Sequence, residues 1–198
     1  MLFLNAARRA SSAGNFRALS RLCLVTGTMF LLGAAESLAQ RAIAQEEYEV
    51  KGAFLYNFTK FTQWPAEAFP AQDSPLVIGI LGEDPFGDYL DGIVRGEQVH
   101  DRAFVIQRYR RLAEMKTCHV LFISRSESAR LDQIFAGLRN RGVLTVGEAE
   151  GFAARGGMIE FVNYEGKLRL RINLAAARSE GLTLSSKLLR PAEIVGNP

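Results

Sequence analysis

Apolar residues recur at helical spacing through Val50, Phe54, Phe58 and Phe61, with Leu55 beside them. This pattern predicts a helix from about Glu47 to Gln63 with one broad apolar stripe. Glu46, Glu47 and Glu49 suit the positive end of its dipole, and Pro65 stops it. The stretch Glu46–Pro65 carries six aromatics, more than one buried face requires, and Tyr56 and Trp64 fall on the flanks of the stripe. They either wrap the core or face a partner; Lys60 beside them belongs to the same surface.

Leu76–Leu81 is a continuous apolar run ending at Gly82, as expected of a strand covered on both faces. Asp84 and Pro85 read as the cap and first position of a short helix that turns Phe86, Leu90, Ile93 and Val94 inward. Ala103–Ile106 is the next strand, with Arg108, Arg110 and Arg111 in the turn after it. His119–Ile123, a helix opened by the capping-box pattern Ser124–Glu127, and Val143–Gly147 form a βαβ unit. Leu131, Ile134, Phe135 and Leu138 supply that helix's buried face.

Alternation replaces helical spacing near the end of the chain. Ile159–Tyr164 and Lys167–Ile172 flank Glu165-Gly166, which predicts a hairpin pairing Tyr164 with Lys167, Val162 with Arg169 and Glu160 with Arg171 on one face. Phe161 with Leu170 and Ile159 with Ile172 occupy the other. Asn173 or the turn after it starts a short helix through Ala175 to Ser179, closed by Gly181, and Leu182–Val195 returns to the domain. The expected fold is α/β, a mostly parallel sheet flanked by helices with an antiparallel C-terminal hairpin at the sheet edge.

The first 44 residues differ in kind. Arg8, Arg9, Arg17 and Arg21 precede an apolar run from Leu22 to Ala35, and small residues follow at Ser37-Leu38-Ala39 or Ala42-Ile43-Ala44. This reads as a secretory leader cleaved at one of those two points, releasing a single exported domain over 45–198. The run is shorter than the ~20 apolar residues a membrane span requires. The leader also changes the electrostatics. The whole chain has net charge +3, but five of its 24 basic and one of its 21 acidic residues lie before Gln45, leaving 19 against 20. A near-neutral body without a basic, aromatic-interleaved cluster gives no reason to expect nucleic acid as a partner. Cys23 leaves with the leader, so Cys118 has no intramolecular mate and reads as a small buried hydrophobe.

Reaction chemistry is not visible. Gly79–Gly82 before Phe86-Gly87 lacks nucleotide-loop spacing, and a turn explains the glycines. His100 and His119 have no third ligand at zinc-like spacing. Ser185-Ser186-Lys187 is a helix cap before it is a Ser/Lys pair, and Ser124 and Ser126 lack a nucleophile elbow. No catalytic residue, metal or cofactor is expected. Two surfaces remain: the row Lys167, Arg169, Arg171, Asn173 that gives one strand a basic face, as a solvated face or a contact for an anion or an acidic partner, and a cleft near Gly82, Glu83 and Ser124 at the carboxyl ends of the strands, as a small-ligand site.

Lys51–Pro65, Val77–Gly87, Cys118–Ser124, Val143–Gly147 with Gly151-Phe152 and Gly156–Ile159, and Ile172–Leu174 with Ser185–Leu189 together resemble the YfiR-like family of periplasmic regulators. The resemblance implies a non-enzymatic inhibitor that holds down a membrane diguanylate cyclase through its extracytoplasmic sensor region, lowering cyclic di-GMP and biofilm matrix. It further implies release by an outer-membrane lipoprotein; some relatives accompany other membrane receptors or kinases instead. Tyr56, Lys60 and Trp64, with Arg169 and Arg171, are the expected partner contacts, and a homodimer is the expected assembly. Control by an internal disulfide does not carry over, because Cys118 stands alone.

Overall fold

The computed structural model describes residues 43–196, so the leader read at 1–44 lies outside them apart from its last two positions. The described residues from Gln45 onward form one compact unit. The first helix, α1, spans residues 43–61, ending two residues earlier than expected. The chain then straightens, because β1 (Thr62–Gln63) pairs antiparallel with β9 (Thr183–Leu184).

The main sheet contains β2 (Leu76–Leu81), β3 (Gln98–Val99), β4 (Arg102–Tyr109), β5 (Val120–Ile123), β6 (Leu144–Gly147), β7 (Ile159–Tyr164), β8 (Lys167–Asn173) and β10 (Glu193–Val195). Their order is β10-β8-β7-β6-β5-β2-β4-β3. All neighbours are parallel except β7 with β8 and β3 with β4. The hairpin register is the expected one, from Tyr164 opposite Lys167 to Ile159 opposite Ile172. A one-residue slip would have exposed Phe161 and Leu170, so burial of one face sets the register. The hairpin lies toward the sheet edge as expected, and β10 adds a short parallel strand beyond β8.

Because side chains alternate across a strand, each central strand feeds two cores. Val120 and Phe122 of β5 join Leu55 and Phe58 of α1, Leu90 of α2 (Asp88–Val94) and Ala177 of α4 (Leu174–Ser179) on one side. Leu121 and Ile123 meet Leu131, Ile134 and Leu138 of α3 (Leu131–Leu138) on the other. A last short helix, α5 (Ser186–Leu189), is capped by Ser185, whose hydroxyl accepts from Lys187 N, as the capping reading expected.

Several local expectations are corrected. The buried face of α1 runs through Lys51, Leu55, Phe58, Thr59 and then Thr62, while Val50 is exposed. The helix is therefore rotated from the all-apolar stripe so that a lysine faces inward. Asp84 does not cap a helix. Its carboxylate accepts from Phe86 N in a tight turn, and α2 begins after Gly87, whose φ is +53°. Arg108 lies inside β4, not in the turn that follows. The capping box forms only in half: Ser124 Oγ accepts from Ser126 N, but Glu127 turns to Arg130 instead of back to the cap, and a 3₁₀ segment, Arg125–Arg130, precedes α3. Gly151 and Gly156, in the turn after β6, have positive φ, at +69° and +110°. Gly157 serves packing instead. A side chain there or at Gly147 would run into the Phe152 ring, which is fully buried.

Phe58 has no exposed surface and stacks on Phe161 at 5.9 Å, so it joins α1 to the hairpin. Phe58→Ala is expected to cost about 3–5 kcal/mol, read as a lower urea midpoint with an unchanged slope.

Candidate functional site

The inward lysine has its partner at the carboxyl end of β6. Lys51 Nζ lies 2.5 Å from Glu148 Oε2 and 2.5 Å from Glu47 Oε1, one turn back on its own helix. Lys51 is 2% exposed and the Glu148 side chain equally so. Tyr48 donates its hydroxyl to Glu148 Oε1 at 2.9 Å, and Arg125 approaches the same carboxylate at 3.8 Å. Burial first, then the adjacent Glu148 charge, pushes the Tyr48 hydroxyl up to about 12. It therefore remains a donor at neutral pH.

A second buried carboxylate, Glu160 on β7, accepts from Gly151 N at 3.2 Å and from Ala153 N at 3.0 Å. Arg171 reaches it from β8 at 3.4 Å and reaches Glu193 of β10 at 3.2 Å. One guanidinium thus ties the 151–153 turn, the hairpin and the outermost strand together. Between the two clusters lies a cavity of about 640 Å³ whose walls include Lys51, Arg125, Glu148, Arg155, Glu160 and Arg171. Arg155 is itself held by Asp132 at 3.1 Å. With its buried charges paired within the protein, the basin is a shaped polar recess and shows no group poised for proton transfer or nucleophilic attack. Among the described residues no group of three or more His, Cys, Asp or Glu side chains is placed to hold a metal ion.

The expected site residues fall in three places. Gly82, Glu83 and Ser124 do meet at the ends of β2 and β5, with Ser124 N donating to Leu81 O at 3.0 Å. Their space is already taken by the protein: Ser126 Oγ accepts from Glu83 N, and Gly82 (φ +93°) sits under Ser126 and Glu127. The open recess lies further along the sheet, toward β7. Tyr56 and Lys60 form one unit, with the ammonium 4.0 Å from the ring centroid, but Tyr56 also packs on Phe104 at 5.4 Å and donates to Glu97 at 2.5 Å. Lys60 is exposed, whereas Trp64 is half-buried and donates to His119 O at 3.3 Å. Arg169 is exposed opposite Val162, while Arg171 is committed to the two glutamates. The basin residues Tyr48, Lys51, Glu148 and Glu160 were missed by sequence reasoning. The one available signal was a lysine on the apolar side of an aromatic helix.

His119 is also structural. Val77 N donates to its Nδ1 at 3.0 Å, so Nε2 carries the proton and donates to Ala68 O at 3.2 Å. Phe69 stacks on the ring at 4.4 Å. Cys118 is buried, its thiol pushed up to about 12 by desolvation, so it is not a reactive thiolate.

The profile of the YfiR/HmsC-like family matches residues 48–193. The chain belongs to that family. A comparison with curated proteins finds no match. YfiR/HmsC-like membership points to a regulator in the context of cyclic di-GMP signalling. The match begins at Tyr48, whose hydroxyl donates to Glu148, and ends at Glu193, the β10 carboxylate that Arg171 holds.

Two predictions follow from this geometry. Lys51→Met leaves Glu148 buried without its closest cation and should cost about 3–5 kcal/mol, whereas the double variant Lys51→Met/Glu148→Leu should recover most of that loss in urea denaturation. Burial, the larger effect, lowers the His119 pKa from its ordinary 6.5. The unfolded chain then binds the extra proton first, so this contribution to stability is present above about pH 6.5 and is lost as pH falls below it. Thermal melts from pH 7.5 down to pH 5 should show a steeper fall in Tm for the parent than for His119→Gln.

Proposed function

We propose that the domain is a periplasmic, non-enzymatic regulator that binds the extracytoplasmic sensor region of a membrane diguanylate cyclase and inhibits it. The YfiR/HmsC-like match across residues 48–193 is the observation that carries this reading. The leader pattern before Gln45 and the near-neutral charge of the remainder support export as a freely diffusing body. A regulator of this kind acts only through unequal affinity for the partner's active and inactive states. Contact surfaces therefore matter more than reactive groups. Lys60 and Arg169 are exposed and available for contact, whereas Tyr56, Trp64 and Arg171 act through the elements they hold in place. An outer-membrane lipoprotein that competes for the domain would relieve the inhibition.

A second reading, a periplasmic small-ligand sensor acting on another membrane receptor or kinase, is favoured by the 640 Å³ basin with Arg125, Arg155 and Arg171 in its walls. Deleting the gene separates the two. The inhibitor reading expects higher cellular cyclic di-GMP and more surface attachment, restored by the parent gene and only weakly by one encoding Arg169→Glu. Unaltered cyclic di-GMP, together with thermal stabilisation of the pure protein by a metabolite, would favour the sensor.

A further inference from the structure

The two hydrogen bonds of the His119 ring suit only its neutral form. Val77 N donates to Nδ1 at 3.0 Å, and Nε2 donates to Ala68 O at 3.2 Å. A second ring proton can go only to Nδ1, where its N–H would face that of Val77 and leave both donors without an acceptor. His119 is 1% exposed, so the imidazolium would also be cut off from water. Its cover is the segment Pro65–Pro70, from which Phe69 stacks on the ring at 4.4 Å and Ala68 supplies the carbonyl beside it.

That segment has little other hold on the domain. No residue from Pro65 to Pro75 is buried. The 3₁₀ turn Ala66–Ala68 closes on itself, through Ala68 N to Pro65 O and Phe69 N to Ala66 O. Further along, Arg102 of β4 donates to Ala71 O at 3.2 Å and to Ser74 O at 2.7 Å. Neither bond involves a group that titrates near neutral pH, so this end stays tethered in both states of His119. The surroundings of the ring also disfavour a cation. Arg102 lies over the Phe69 ring at 3.8 Å and brings a like charge close. Glu67 and Asp73 of the segment, and Lys116 before β5, are exposed. After β1 the neighbour is the uncharged Trp64 indole, edge-on at 6.1 Å. Val77 of β2 and Leu144 of β6 contribute backbone amides. The Cys118 thiol belongs to the other core, where burial keeps it protonated.

We propose that Pro65–Pro70 is an acid-opened flap: when His119 takes its second ring proton, the ring swings toward water, Ala68 and Phe69 lift away, and Arg102 keeps the Ala71–Ser74 end attached. The open form has an accessible imidazole with an ordinary pKa near 6.5, whereas burial lowers it in the closed form. The open form therefore binds the proton more tightly. The flap is shut above about pH 6.5, and below that the open fraction rises by up to about tenfold per pH unit, the limit for one proton. Opening removes the acceptor of Val77 N and uncovers the start of β5 beside Trp64. For the exported regulator proposed above, this ties a surface just beyond the first helix to the acidity outside the cell. The flap itself needs no partner, so it stands or fails independently of the proposed inhibition.

Amide hydrogen exchange from about pH 7.5 to pH 5, corrected for the intrinsic pH dependence of exchange, tests the flap. Protection of the Val77 amide should hold steady down to about pH 6.5 and then fall by about tenfold per pH unit. Val77 should exchange at least about a hundredfold faster than Ile80, which is paired on both sides in the same strand, because local opening is far more frequent than global unfolding. In His119→Gln the fall with pH should disappear. Phe69→Ala thins the cover but leaves both hydrogen bonds of the ring, and should lower Val77 protection about fivefold at pH 7.5. Constant protection of Val77 down to pH 5 overturns the proposal, as does a Val77 amide that exchanges no faster than Ile80. So does a Val77 amide indifferent to Phe69→Ala, since the ring would then move without the flap. The comparison of Val77 with Ile80 needs no substitution, so it decides the matter even if His119→Gln fails to fold.

Discussion

The structure depends on one buried ion pair, Lys51 with Glu148. A charge this deeply buried is stable only with a close partner and further hydrogen bonds, and Glu47, Tyr48 and Arg125 supply them around the pair. The pair joins the first helix to the carboxyl end of β6, positions 97 residues apart in the chain. It also decides which way the helix faces. With Lys51 inward, Leu55 and Phe58 follow it into the core and Val50 is left outside. Tyr56 and Trp64 are then directed to different strands, where one braces β4 through Phe104 and the other reaches the start of the central strand β5 at His119.

Glu160 does for the other side of the basin what Glu148 does for the helix. Its two oxygens hold the backbone of the turn after β6, and Arg171 relays that anchor through β8 to Glu193. The recess between these clusters is therefore walled by side chains that also hold secondary structure in place. Anything that displaced Arg171 from Glu160 would loosen β10 as well. For a YfiR/HmsC-like regulator, this links a polar recess to a sheet edge without any reactive group.

The two edges of the sheet are managed differently. Beyond the hairpin, β10 takes up the outer side of β8 over three positions and brings an acid against the basic row. At the other end, β3 covers only the first two residues of β4. Edge strands usually carry a bulge, a proline or an inward charge that discourages pairing. Past β3, Phe104 and Ile106 are half-buried against α1 and the rest of that core, and Arg108 supplies a charge on the same strand.

The period of the apolar residues was enough to establish the α/β class, the parallel strands and the hairpin with its register, because burial on one or both faces imposes that period on any sequence that folds this way. Asn173 and Ser185 were readable as caps because their task is local and needs only a nearby amide. What only the tertiary structure decided are the pairings between distant residues. Neither Lys51 nor Glu148 has a local pattern that names the other, and Gly157 looks like a turn until Phe152 is seen against it. The cleft foreseen at Gly82 and Ser124 is filled by Ser126 and Glu127, while the open recess formed two strands along, among charges contributed by α1, β6, β7 and β8. Local chemistry can be read one segment at a time; a buried charge cannot, because its cost is met by residues that only the fold brings to it.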